Sequence, residues 1–402
     1  MVGEKAANSQ TSADELFRKG EFHQARLLYA AMLEQQPVSP TALTSLGHLA
    51  LLSNRLDEAR RTLLEAVGMK CDSRTHLFLA ETFYCLDEFV EAAPLFQAGG
   101  KTSKTRKLES FRGTKPYGIG GTWSGRAEFL QTDPLPLVQA TVNTGHPGCF
   151  LIDTGGSELI LDTDFARQAT TIEFGPEEGT FAGGESASYI HGRIDSFEIG
   201  GLTVKDLPVH LMDTRRFSAV APGRTVSGII GTAFLYHFLP TIDYLGGVLV
   251  LNRRESSSEL ETESGGSIQV PFWLAGDHFI VARGTVNNGP PCLLLVDTGL
   301  AGLGFTCPKS TLEESGIAVQ ADSATEGLGG GGKVKVSPIT VQKLTLGGAA
   351  VEDVTGVYGA FPPQLESGLG FRIGGLVSHG FFRNMKVSFD FQKMRIRMKG
   401  PR

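Results

Sequence analysis

Apolar and polar positions follow two different rhythms along this chain. Up to about residue 98, apolar residues recur at helical spacing, starting after Ser12, a predicted N-cap ahead of Ala13-Asp14-Glu15-Leu16. From about residue 127 the pattern changes to short apolar runs, period-two alternation and glycine turns, which predicts an all-β region. The expected organisation has six parts: a disordered stretch over 1–11, helical repeats over 12–98, a basic linker over 99–126, a first β lobe over 127–254, an acidic, serine-rich linker over 255–267 and a second β lobe over 268–402. The basic linker sets Lys101, Lys104, Arg106, Lys107, Arg112 and Lys115 against Glu109, a balance expected of a solvated segment.

The helical part repeats itself. Gly20-Glu21-Phe22-His23-Gln24-Ala25 returns as Asn54-Arg55-Leu56-Asp57-Glu58-Ala59 and again as Asp87-Glu88-Phe89-Val90-Glu91-Ala92. Ala25, Ala59 and Ala92 are 34 and 33 residues apart, and Tyr29, Leu63 and Phe96 keep that spacing. Gly47 and Ala80 supply second small residues, where paired helices can approach. With Leu46-Gly47 and Pro37, this stretch resembles the tetratricopeptide repeat over roughly residues 12–98. That resemblance implies a concave surface for docking a protein partner.

The β part repeats as well. Apolar runs end in Asp153-Thr154-Gly155 and Asp297-Thr298-Gly299, each with Thr-Val-Asn upstream, at Thr141-Val142-Asn143 and Thr285-Val286-Asn287. Ile199-Gly200-Gly201 with Asp206 corresponds to Leu346-Gly347-Gly348 with Asp353, and Gly228-Ile229-Ile230-Gly231 to Gly375-Leu376-Val377-Ser378. Each half closes with an acid between apolar residues, Asp243 and Asp390, for which turn or strand roles are expected. Two duplicated acids at the ends of buried strands can face each other. A close carboxyl pair shares a proton, so one member can activate water while the other protonates a carbonyl oxygen.

Composition narrows the choices. An apolar content of 41% with 20% charged residues fits a globular protein, and a net charge of −6 gives no reason to expect nucleic acid as a partner. Five cysteines without paired spacing predict no disulfide framework and a reducing compartment. The polar start and the lack of a long apolar run predict a cytoplasmic protein with no membrane partner.

Residues 127–402 resemble a two-lobed aspartic peptidase of the pepsin/retropepsin type, nearer to a fused pair of retropepsin-like lobes. The fold class expected is therefore multidomain, with all-α helical repeats followed by an all-β bilobal peptidase domain. The resemblance implies that Asp153 and Asp297 are catalytic, that Thr154, Gly155, Thr298 and Gly299 support the active-site loops, and that no metal or other cofactor is needed. It also implies a peptide or unfolded-protein substrate under glycine-tipped flaps, here Ala182, Gly183 and Gly184 in one lobe and Gly329 and Gly330 in the other. The alternative is an inactive peptide-binding or scaffold protein that keeps the fold. The chain departs from the family pattern at Ser378, where a glycine is usual, and at Gly156 and Leu300, where pepsin-like enzymes commonly carry a hydroxyl. The missing hydroxyls predict a pH optimum nearer neutrality than pepsin's. Tyr189 is the nearest candidate for a flap tyrosine. Gly327 to Lys333 fits G-x-x-x-x-G-K, but the following Val334 and the strand-like alternation after it argue against a nucleotide site. Without G-x-S-x-G, Ser378-His379 makes a weak serine-hydrolase signal, and His379 is expected to be an incidental loop residue.

Overall fold

A computed structural model describes residues 2–69, 71–254, 266–276 and 278–401, with side chains from Gln10 onward. Most of the expected linker at 255–267 lies outside the described residues.

The chain forms two compact units. The first contains the helices Val2–Arg18, Phe22–Gln35, Pro40–Leu52, Leu56–Val67, Ser73–Cys85, Phe89–Ala98 and Thr102–Glu109. It also takes in Trp273–Gly276 and Leu365–Arg372. Gly20, Asn54 and Asp87, one per repeat, all adopt left-handed backbone conformations between paired helices. Ala25, Ala59 and Ala92 are fully buried, and Tyr29, Leu63 and Phe96 are buried beside them. Gly47 is required by close packing, since a Cβ there would overlap the side chain of Leu63. Ser39 and Asp72 cap two helices through their side chains, and Pro40 occupies the first turn of its helix.

Two expectations need correction. The first helix opens at Val2, not Ser12. Residues 2–11 contain Glu4, Lys5, Ala6, Ala7 and Gln10, all good helix formers, and no proline. Residues 99–126 are not a linker, because they contain the helix Thr102–Glu109 and the strands Gly118–Gly121 and the start of Ser124–Gln131. Lys107 and Leu108 are fully buried, Phe111 packs edge-on against Phe89 at 5.1 Å, and Lys104 sits over the rings of Tyr84 and Phe96 at 4.8 and 4.3 Å. The lysine stems and cation–π contacts make this basic segment part of the helical core.

The second unit is β-rich and bilobal. In lobe one, His146–Ile152 runs parallel to Val226–Ile230, and the returning strand Leu159–Asp162 pairs antiparallel with the same Val226–Ile230. In lobe two, Cys292–Val296 runs parallel to Gly375–Val377, which Phe305–Thr306 also flanks antiparallel. Each acid therefore follows a strand whose parallel neighbour is flanked on its other side by the returning strand. Long hairpins project from both lobes, Ile172–Thr180 with Ser186–Ile199 and Thr325–Gly329 with Gly332–Leu346. The sheet joining the lobes runs, in spatial order, Ser124–Gln131, Val248–Arg253, Phe238–Asp243, Lys386–Asp390, Arg395–Lys399 and Ile268–Ala275. At its centre Thr241 and Ser388 hydrogen-bond across the lobe boundary at 2.7 Å.

The duplication extends to backbone conformation. Asn143 and Asn287 are both left-handed, as are Gly200 and Gly347, and Asp206 and Asp353. Both asparagines donate from Nδ2 to a loop carbonyl, of Ala169 at 2.8 Å and of Ser315 at 3.0 Å. Asp243 and Asp390 each accept a turn N–H, from Gly246 at 2.8 Å and Lys393 at 2.9 Å.

Candidate active site

Each buried strand extends its parallel pairing by one residue, to the acid itself. The Asp153 N–H donates to the Ile230 carbonyl at 3.1 Å, and the Asp297 N–H to that of Val377 at 3.0 Å. The next residues interlock across the lobes. The Thr154 N–H donates to Thr298 Oγ1 at 3.0 Å, and the Thr298 N–H to Thr154 Oγ1 at 3.1 Å. Each hydroxyl then donates into the opposite strand, Thr154 to the Val296 carbonyl at 2.8 Å and Thr298 to that of Ile152 at 3.2 Å. Both threonines are buried.

Gly155 and Gly299 turn the chain so that their N–H groups donate to their own loop's carboxylate, Asp153 Oδ1 and Asp297 Oδ1, each at 2.8 Å. Their lack of a side chain has a second purpose. A Cβ on Gly155 would overlap the Asp297 carboxyl, and one on Gly299 would overlap that of Asp153. The structure thus brings together Asp153, Thr154, Gly155, Asp297, Thr298 and Gly299, from segments about 144 residues apart.

Burial pushes the Asp153 carboxyl well above the usual carboxylate range. The neighbouring Asp297 charge and the hydrogen bond between the two groups raise it further, while the N–H groups of Gly155 and Gly156 oppose the shift. Burial raises the Asp297 carboxyl too, against the N–H of Gly299 and the hydrogen bond with Asp153. Both residues are half-buried. Such a pair holds a proton between its members and titrates as a unit.

The difference between the lobes at Gly231 and Ser378 has a physical consequence. In lobe one, a Cβ at Gly231 would overlap the carbonyls of Gly156, Ser157 and Glu158. In lobe two, Ser378 Oγ accepts the Leu300 N–H at 2.9 Å. The serine therefore supports the loop after Asp297.

Ala182, Gly183 and Gly184 form the tip of the first hairpin, with Gly183 and Gly184 left-handed. Gly329 and Gly330 lie at the tip of the second. The tips meet, as a Cβ on Gly330 would overlap the Phe181 ring and one on Gly331 would overlap Glu185. Each tip is also held by the opposite lobe. The Gly183 N–H donates to the Ala360 carbonyl at 2.9 Å, and the Arg216 guanidinium donates to the Gly330 carbonyl. Tyr189 is on the returning strand, not at a tip, with its ring 4.5 Å from that of His210.

Arg216 escaped the sequence reading because its lobe-two counterpart region contributes a backbone carbonyl, so the duplication gives no matching side chain. The reading of His379 is corrected. Its side chain is fully buried, with Nε2 2.6 Å from Asp133 Oδ1. Gly327 to Lys333 lies within the second hairpin, where exposed Lys333 pairs with Glu326 at 2.7 Å. Among the described residues, no group of three or more His, Cys, Asp or Glu is arranged to hold a metal ion, and no helix is long and apolar enough to cross a membrane.

The sequence model of the aspartyl protease family matches this chain twice, over residues 138–234 and 282–373. Each match contains one Asp-Thr-Gly, and the two matches fall one in each lobe of the β-rich unit. A search of curated proteins finds no match to the chain.

Proposed function

We infer that this protein is an aspartic endopeptidase of the retropepsin-like kind. The observation that carries the inference is reciprocity: each glycine is cut back to make room for the opposite lobe's carboxyl, and each threonine secures the opposite loop. That arrangement places two carboxyls of raised pKa, on half-buried residues, at one point. In the proposed reaction the pair shares one proton. The ionised carboxyl removes a proton from a water held between the two groups, and the resulting oxygen nucleophile attacks the scissile carbonyl carbon. The protonated carboxyl donates to the carbonyl oxygen, giving a tetrahedral diol. Collapse of the diol, with a proton passed to the amide nitrogen, breaks the C–N bond and restores the shared proton. The substrate lies extended beneath the hairpins, pairing its backbone with theirs.

The helices are read as tetratricopeptide-like repeats that dock a protein partner or a protein substrate. In support, the helical unit contains a cavity of about 940 Å³ whose lining includes Tyr29, Thr44, His48 and Arg74. Arg74→Glu should slow cleavage of long protein substrates while leaving short peptides unaffected.

The peptidase reading is tested with unfolded protein and a peptide library, comparing wild type with Asp153→Asn and Asp297→Asn. Cleavage by wild type that is lost in both variants supports it; equal cleavage by all three rejects it.

A further inference from the structure

Behind the loop that follows Asp297, one buried histidine connects the lobes. His379 begins the short helix His379–Phe382, directly after Ser378, in lobe two. Its side chain is fully buried and its Nε2 lies 2.6 Å from Asp133 Oδ1, a carboxylate of lobe one whose side chain is 64% exposed. A carboxylate only accepts, so Nε2–H is the donor. Burial lowers the imidazole's pKa against the raising effect of Asp133, and Nδ1 has no hydrogen-bond partner among the described residues. The Tyr244 ring packs edge-on against it at 5.3 Å, and the buried Tyr244 hydroxyl likewise lacks a partner there.

The residues flanking this pair hold one loop from both sides. Ser378 Oγ accepts the Leu300 N–H at 2.9 Å, the Ser378 N–H donates to Gly304 at 2.9 Å, and the Gly380 N–H donates to Leu303 at 2.8 Å. From lobe one, the Pro134 carbonyl accepts the Gly302 N–H at 2.8 Å. Residues 300–304 are therefore fixed by 378–380 on one side and by Pro134 on the other. The Asp133–His379 bond ties those two supports together. The lobe-one counterpart of His379 is Thr232, which bonds within its own lobe, to the Thr154 carbonyl at 2.8 Å.

We propose that Asp133 and His379 form an inter-lobe clamp that positions the Asp297 loop against Asp153. Both are positioning residues, since they reach the dyad through Ser378, Leu300 and Pro134. The proposal's kinetic consequence rests on the peptidase reading, whereas its structural consequence does not.

The test uses the full chain and the variants His379→Ala, Asp133→Ala, the double variant, His379→Gln and Asp133→Asn. Amide hydrogen exchange is followed at Leu300 and Gly302, and kcat and KM are measured on a peptide that wild type cleaves. The two single alanine variants should each speed exchange at both amides. Each should lower kcat by roughly tenfold to a hundredfold with KM nearly unchanged, the range expected from a small misplacement of reacting groups. The double variant should be no worse than either single, because one bond is lost in each case. Glutamine at 379 keeps an N–H near the Nε2 position and asparagine at 133 keeps an acceptor, so both should recover most of the activity. Unchanged exchange and kcat in folded His379→Ala would overturn the clamp, as would multiplicative losses in the double variant. If His379→Ala does not fold, Asp133→Ala, which truncates an exposed side chain, carries the same test. Absence of cleavage by wild type would count against the peptidase reading, and the exchange measurements would still decide the clamp.

Discussion

The reciprocal threonine contact gives a quantitative test of how the lobes are joined. Thr154→Val keeps the branched shape and removes the hydroxyl. It leaves the Thr298 N–H without its acceptor and the Val296 carbonyl without the Thr154 donor, both at a buried site. A buried donor deprived of its partner costs about 1–3 kcal/mol, and loss of an ordinary hydrogen bond at a carbonyl about 0.5–1.5 kcal/mol. The expected destabilisation is therefore about 2–4 kcal/mol. Thr298→Val should cost a similar amount, since it strips the Thr154 N–H and the Ile152 carbonyl in the same way. Thr154→Ser keeps the hydroxyl and should lose far less. Urea unfolding of the three variants, with slopes compared to wild type, measures this directly. A loss below about 1 kcal/mol in Thr154→Val, or a large inequality between the two valine variants, would refute the reciprocal account.

Four further outcomes follow from the same geometry. Gly299→Ala should abolish peptide cleavage and destabilise by about 1–3 kcal/mol through overpacking, because its methyl group would meet the Asp153 carboxyl; a fully active Gly299→Ala enzyme would contradict the described approach. The raised dyad pKa values should displace the pH–rate profile upward from the strongly acidic range, and a maximum at strongly acidic pH would oppose this. The same shift has a sign for stability: a carboxyl whose folded pKa is raised stabilises the fold while protonated, and that contribution is lost as pH rises through the folded value. Asp153→Asn should therefore gain stability over wild type at neutral pH and lose that advantage in acid, as followed by Tm against pH. Arg216→Ala should raise KM more than it lowers kcat by releasing the tip at Gly330, and an unchanged KM would deny the arginine that role.

Much of the β-rich unit was legible because duplication prints the same signal twice. Thr-Val-Asn precedes each Asp-Thr-Gly at the same offset, the paired glycine turns follow with a shift of three residues, and Asn143 with Asn287 and Asp206 with Asp353 share even their left-handed backbone. Features present only once were harder to read. Arg216 has no matching side chain in the other lobe, and the counterpart of His379 is Thr232, which bonds within its own lobe, so their roles depend on tertiary approach. The character of 99–126 is hidden because its charges mask Leu108 and Phe111, while Lys104 lies over two aromatic rings and Lys107 is fully buried. Ser12 has the chemistry of a cap, yet the helix opens at Val2 because the preceding residues already favour helix.

The central claim, that Asp153 and Asp297 jointly activate water, is tested most directly by cleaving one mapped peptide in water enriched in oxygen-18. Wild type should place solvent oxygen in the newly formed carboxylate with no acyl-enzyme trapped by hydroxylamine, and Asp153→Asn and Asp297→Asn should each give no product. Cleavage by either variant at the wild-type rate, or a trapped acyl-enzyme, would contradict it.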